Sequence, residues 1–130
     1  MADEAAGESI LVVDDNPQNL KLVRILLSGE GYSVRTAGDA EEALRLLDGF
    51  VPRLILMDLQ LPGMDGLELT RKLKGDARYR NVIIVALTAY AMKGDEQKAR
   101  VAGCDAYVTK PIDTDRLPKL VASLLTTDSR

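Results

Sequence analysis

Histidine is absent from this chain of 130 residues, tryptophan is absent too, and cysteine occurs once. Without histidine there is no Cys-His or Ser-His catalysis, no haem ligation by histidine and no zinc site of the usual cysteine and histidine type. The lone Cys104 cannot form an internal bridge, which fits a reducing cytoplasm and a role as a small buried apolar residue. No apolar run is long enough to span a membrane, since the longest, Val82 to Met92, falls well short of the roughly 20 residues required. Basic excess is missing as well: 17 lysines and arginines stand against 20 acidic residues, dispersed rather than gathered on one face, so nucleic acid is not an expected partner. The leader Met1 to Ser9 carries acidic residues and no basic one, the wrong charge for a secretory or transit signal. Any proton or phosphate chemistry must therefore run on carboxylates, lysine and hydroxyls.

What is present suits one compact domain. At 46% apolar and 28% charged, a chain of this length buries roughly two-thirds of its unfolded surface and needs neither disulfide nor structural metal. Four apolar runs, Ile10 to Val13, Leu54 to Met57, Val82 to Leu87 and Ala106 to Val108, read as parallel strands buried on both faces. Ser33 to Ala37 alternates polar with apolar and reads as an edge strand.

Five helical stretches lie between and after these runs. Asn16-Pro17 is a cap with proline at the first helical position, followed by the stripe Leu20, Val23, Leu26 and Leu27 and closed by Gly29. Asp39 to Glu42 is a capping-box pattern, with Ala43, Leu44 and Leu47 inward and Gly49 as the stop. A third helix starts near Asp65 with Leu67, Leu69 and Leu73, and a fourth runs from about Gly94 to Ala102 with Gly103 behind it. The last carries Leu117, Leu120, Val121, Leu124 and Leu125. Because proline is tolerated only in the first turn, Pro118 places its cap at Thr114 or Asp115. Alternating strands and helices predict an α/β sandwich with helices on both faces.

In an open parallel sheet the ligand site lies beyond the carboxyl ends of the strands. There the sequence sets Asp14 and Asp15, then Asp58, then Thr88, then Lys110 after Tyr107. Clustered carboxylates repel by several kcal/mol per close pair, about 4 kcal/mol at 4 Å near a surface, so cations belong among them. Lys110 is one, and magnesium, which takes one or two carboxylates and keeps several waters, is the natural second. Asp58, alone at the end of its run, is the candidate nucleophile for a phosphoryl group. Asp14 and Asp15 are the candidate metal ligands, and Thr88 and Lys110 the partners of phosphoryl oxygens.

These motifs resemble the receiver domain of two-component response regulators. The residues are Leu11-Val12-Val13-Asp14-Asp15-Asn16, Leu56 to Gly66 with Asp58 and the Leu61-Pro62-Gly63-Met64-Asp65-Gly66 turn, Leu87-Thr88-Ala89 and Tyr107-Val108-Thr109-Lys110-Pro111. Thr88 to Glu96 and Gly103 to Tyr107 further resemble the free-standing regulators of bacterial cell division and polarity. The resemblance implies a flavodoxin-like doubly wound five-stranded parallel sheet of order 2-1-3-4-5 over residues 9–126. A short disordered arm (1–8) would precede it and a tail (127–130) follow it, with no output domain attached. It also implies magnesium-dependent phosphorylation of Asp58 from a partner histidine kinase or histidine phosphotransfer protein, and the Gln60 backbone carbonyl as a further metal ligand. Tyr107 would be a switch aromatic moving with Thr88, the Lys110-Pro111 bond would be cis, and a downstream protein would bind the face of the fourth helix, fifth strand and fifth helix. Tyr90 and Gln60, each two positions beyond a site residue, are placed at the pocket mouth, with Tyr90 excluding water.

Two other functions fit parts of the pattern. A magnesium-dependent aspartyl phosphohydrolase of the dehalogenase-like kind normally has a second aspartate two positions after the first, where this chain has Gln60. A phosphorylation-independent binding receiver would not need the full set of Asp14, Asp15, Asp58, Thr88 and Lys110.

Overall fold

The computed structural model describes residues 8–89 and 94–127. Among these residues ten elements alternate: β1 (Ser9–Val13), α1 (Pro17–Gly29), β2 (Ser33–Ala37), α2 (Ala40–Leu47), β3 (Leu54–Asp58), α3 (Gly66–Lys74), β4 (Ile83–Thr88), α4 (Asp95–Ala102), β5 (Ala106–Thr109) and α5 (Arg116–Thr127). All strand pairs are parallel and the order is β2-β1-β3-β4-β5, as the family resemblance implies.

Strand alternation divides the interior in two. Ile10, Val12, Leu54, Leu56, Val85 and Leu87 face α1 and α5, packing on Val23, Leu27, Leu117 and Val121. Leu11, Val13, Ile55, Met57, Ile84 and Ala86 face α2, α3 and α4, packing on Ala43, Leu47, Leu69, Leu73 and Ala99. The side chains of β1 and β3 between Ile10 and Met57 are fully buried, each such leucine or isoleucine contributing roughly 1.5–3 kcal/mol. That explains why these runs look continuously apolar in sequence although the side chains alternate in space.

Several local expectations are corrected. Ala106 to Val108 is not buried on both faces: among the described residues β5 pairs with β4 alone, its residues are half-buried and Thr109 is exposed. Gly29 is the last helical residue of α1, and the reversal comes at Gly31, whose φ of 96° suits glycine. In α2 the helix stops at Leu47 with Asp48 as its cap, ahead of Gly49. The cap of α5 is neither Thr114 nor Asp115 but Asp113, whose Oδ1 accepts from the Asp115 and Arg116 backbone N–H groups at 2.9 and 3.0 Å. An aspartate two and three residues ahead of exposed N–H donors outcompetes a cap placed by counting back from Pro118. Glu8, assigned to the arm, is tied to the sheet: its carbonyl accepts from the Ser33 N–H at 3.0 Å and its carboxylate pairs with Arg53.

Other local readings hold. Asn16 Oδ1 accepts from the Gln18 and Asn19 N–H groups. Asp39 accepts from the Glu42 N–H at 2.8 Å, while the Glu42 carboxylate reaches back to the Gly38 N–H, also at 2.8 Å. Cys104 is buried beside Thr70, and burial raises its thiol pKa.

Candidate functional site

Three backbone hydrogen bonds continue the ladders past the strands and set the rim. The Asp14 N–H donates to Ala37 O at 3.1 Å, the Leu59 N–H to Leu87 O at 2.9 Å, and the Lys110 N–H to Thr88 O at 2.7 Å. Extended alternation therefore continues through these residues. Asp14 follows the parity of Ile10 and Val12, Asp58 that of Leu54 and Leu56, and Lys110 that of Ala106 and Val108, so the three side chains emerge on one side of the sheet.

There they meet. Lys110 Nζ lies 3.0 Å from Asp14 Oδ2 and 3.1 Å from Asp58 Oδ2. The two carboxylates are only 1% and 2% exposed. Asp14 Oδ1 accepts from the Asn16 N–H and Oδ2 from the Asn19 side chain, while Asp58 Oδ1 accepts from the Gln60 N–H at 2.9 Å. Among the described residues no buried side-chain polar atom lacks a partner. Burial raises the Asp58 pKa above the ordinary carboxylate value, with the Asp14 charge adding to the rise, while the Gln60 N–H and Lys110 oppose it. For Lys110, burial works against the charge, but its hydrogen bonds to Asp14 and Asp58 prevail and its pKa is raised.

Asp15 completes the acidic group from the exposed side, and one oxygen from each of Asp14, Asp15 and Asp58 lies within 4.8 Å of the others. Among the described residues, three carboxylates against the Lys110 ammonium leave an excess of negative charge. The donor set is all oxygen and hard, part buried and part open, which fits magnesium and its retained waters.

Thr88 ends β4, fully buried, on the opposite strand parity from Leu87. Its Oγ1 accepts from Gln60 Nε2 at 2.9 Å, so the loop after β3 grips the end of β4. Tyr107 is half-buried on β5 and lines an open cleft of about 440 Å³ with Pro111, Arg116, Leu117 and Leu120. Burial, with the charges of Asp95 and Glu96, raises its phenol pKa. The Lys110-Pro111 peptide is cis. Tyr90 lies outside the described residues.

Two contributors escaped the sequence reading. Asn19 supports Asp14 from the first turn of α1, a contact signalled only by a polar residue on the helix edge nearest the site. Gly66 opens α3 against the site: a Cβ there would lie 2.2 Å from the Asp58 carbonyl oxygen and 2.8 Å from Leu59 Cα. Its signal was a glycine directly after the Asp65 cap, where helix propensity disfavours one.

A doubly wound sheet with a buried acid pair bridged by lysine at its carboxyl rim defines a receiver. Residues 10–122 match the response regulator receiver domain family, and the chain belongs to it, a phosphorylation-activated signalling switch of the two-component kind. It is 44% identical over 118 residues to the polar-differentiation response regulator DivK of Brucella ovis, covering 91% of this chain and 96% of that protein. Among solved structures, the signal receiver domain of a histidine kinase from Syntrophus aciditrophicus superposes with a TM-score of 0.87 at 31% identity, covering 95% of this chain and 94% of that one. The chemotaxis protein CheY4 of Vibrio cholerae gives 0.85 at 27% identity, covering 91% and 98%.

Proposed function

We propose that Asp58 is the phosphoryl acceptor, receiving the group from a phosphohistidine of a histidine kinase or phosphotransfer protein. The carrying observation is the ammonium of Lys110 held between the buried carboxylates of Asp14 and Asp58. An Asp58 oxygen forms the new P–O bond as the P–N bond to histidine breaks and its electron pair leaves with the imidazole. Burial makes the Asp58 carboxylate more basic than an exposed one, which favours it as a nucleophile. Lys110, kept charged by its two acidic partners, pairs with the transferred oxygens, and the Thr88 hydroxyl donates to another.

Asp14, Asp15 and Asp58, with the backbone carbonyl of Gln60, would hold magnesium. When bound, the ion supplies neutralisation of the phosphoryl charge. The protein assists its own phosphoryl transfer and slow dephosphorylation rather than turning over a separate substrate. Phosphohydrolase chemistry is not favoured, because the amide at Gln60 offers no acid or base and is engaged with Thr88.

Output runs through the face of α4, β5 and α5, where Tyr107 borders a cleft open to a partner protein. No described helix is long and apolar enough to cross a membrane, and the reading places the protein in the cytoplasm. Its likeness to polar-differentiation regulators supports a role in bacterial cell-polarity signalling.

The test is intact-mass measurement after incubation with acetyl phosphate, with and without magnesium. One phosphoryl group should appear, only with the metal and only where Asp58 is intact. Labelling that persists in Asp58→Asn would falsify the assignment.

A further inference from the structure

The side-chain amide of Gln60 bridges two segments of the site. Its Nε2 donates to Thr88 Oγ1 at 2.9 Å, and its Oε1 accepts from the Ala89 N–H at 3.4 Å. The amide orientation follows from chemistry: a backbone N–H can only donate, so the oxygen must face Ala89 and the nitrogen must face Thr88. The backbone N–H of the same residue donates to Asp58 Oδ1 at 2.9 Å. Gln60 is thus bonded at once to the phosphoryl acceptor and to the end of β4.

We infer that Gln60 is a positioning residue that latches Thr88 and Ala89 in the unphosphorylated arrangement and must release them for the switch to turn. The inference rests on the assignment of Asp58 as the acceptor. Thr88 is fully buried, so its hydroxyl cannot exchange one partner for water at will. An amide is a neutral partner, and hydrogen bonds to an ionised acceptor are roughly twice as strong as those between neutral groups. A phosphoryl group on Asp58 therefore competes successfully with Gln60 Oε1 for the Ala89 N–H, and drawing the Thr88 O–H onto a phosphoryl oxygen carries Oγ1 away from Gln60 Nε2. Without that charge, the amide keeps both contacts. The latch is strong enough to hold the resting state and weak enough to yield to an anion, which is what a two-state element biased by a ligand requires. Its second attachment, to Asp58 Oδ1, brings the release to the residue where the charge arrives.

Gln60→Met keeps the length and the backbone carbonyl while removing both side-chain hydrogen bonds. Gln60→Ala repeats the loss without introducing a thioether. The probe is beryllofluoride, a phosphoryl mimic, titrated at saturating magnesium and followed by amide NMR. With the latch gone, both variants should bind the mimic about two- to twelvefold more tightly than the parent, the range that losing a competing hydrogen bond worth about 0.5–1.5 kcal/mol allows. In the ligand-free variants the Thr88 and Ala89 amide signals should already move part of the way toward their mimic-bound positions. Unaltered or weaker affinity, or ligand-free signals at the parental positions, would overturn the latch while leaving Asp58 as acceptor. Failure of the parent protein to bind the mimic at all would overturn both the acceptor assignment and the latch.

Discussion

Two lysines tie this sheet together at opposite rims, and they do so under opposite electrostatic conditions. At the amino rim, Lys74 from the end of α3 donates to the carbonyls of Val82 and Arg80 at 2.6 and 3.3 Å and pairs with Asp105 at 3.2 Å. Asp105 in turn accepts from the Ile84 N–H at 2.9 Å. One cation meets one anion, both partly wet, and backbone groups fill the remaining valences. At the carboxyl rim, Lys110 faces two buried carboxylates with a third beside them. The first arrangement is satisfied and serves the fold. The second carries excess negative charge on largely buried groups, a cost that the proposed binding of magnesium and a phosphoryl group would offset.

This contrast can be broken by experiment, and the largest effect concerns chemistry. Asp58→Asn should lose phosphorylation by acetyl phosphate completely, whereas Asp105→Asn should retain it, as read by intact mass.

Removing the lysines comes next. Lys110→Met leaves two buried carboxylates without their cation and should cost about 3 kcal/mol in urea denaturation, part of it recovered by adding Asp14→Asn. Lys74→Met forfeits hydrogen bonds at a more solvated position and should cost only about 1 kcal/mol, with no recovery from Asp105→Asn because the Asp105 carboxylate is exposed enough to stay hydrated without its cation. Equal costs at the two rims would remove the distinction.

A smaller effect has opposite signs at the two ends. Without magnesium, Asp15→Asn should raise the melting temperature by a few degrees, corresponding to roughly 0.5–1 kcal/mol of relieved repulsion, and weaken magnesium binding. Asp105→Asn should lower the melting temperature. A fall with Asp15→Asn would show that Asp15 supports the fold.

The smallest effect is a pH dependence. Burial raises the Asp58 pKa in the folded state, so folding penalises its ionised form. The favourable contribution of the protonated group is complete below the ordinary carboxylate value and is lost as pH rises through the raised one. Metal-free Asp58→Asn should therefore exceed the parent in stability at neutral pH, and the gap should close on acidification through that window. A gap independent of pH would mean that Asp58 is not penalised by burial.

Much of this was legible along the chain. Aliphatic runs, caps such as Asn16, Asp39 and Asp65, and polar residues directly after each run dictated a parallel sheet with Asp14, Asp58, Thr88 and Lys110 at one rim. These are local matters, because burial on both faces requires unbroken apolar sequence and a helix start requires a nearby acceptor. Tertiary structure alone decided the rest. That Lys110 sits between Asp14 and Asp58 depends on ladder register across four strands, β1, β3, β4 and β5. The place of β5 at the edge of the described sheet depends on strand order, the collision waiting at Gly66 on how closely α3 approaches Asp58, and the grip of Gln60 on Thr88 on residues 28 positions apart. Residue type states what a side chain is able to bond, but which partner comes within 3 Å is set by the packing of distant segments, and no local pattern encodes that distance.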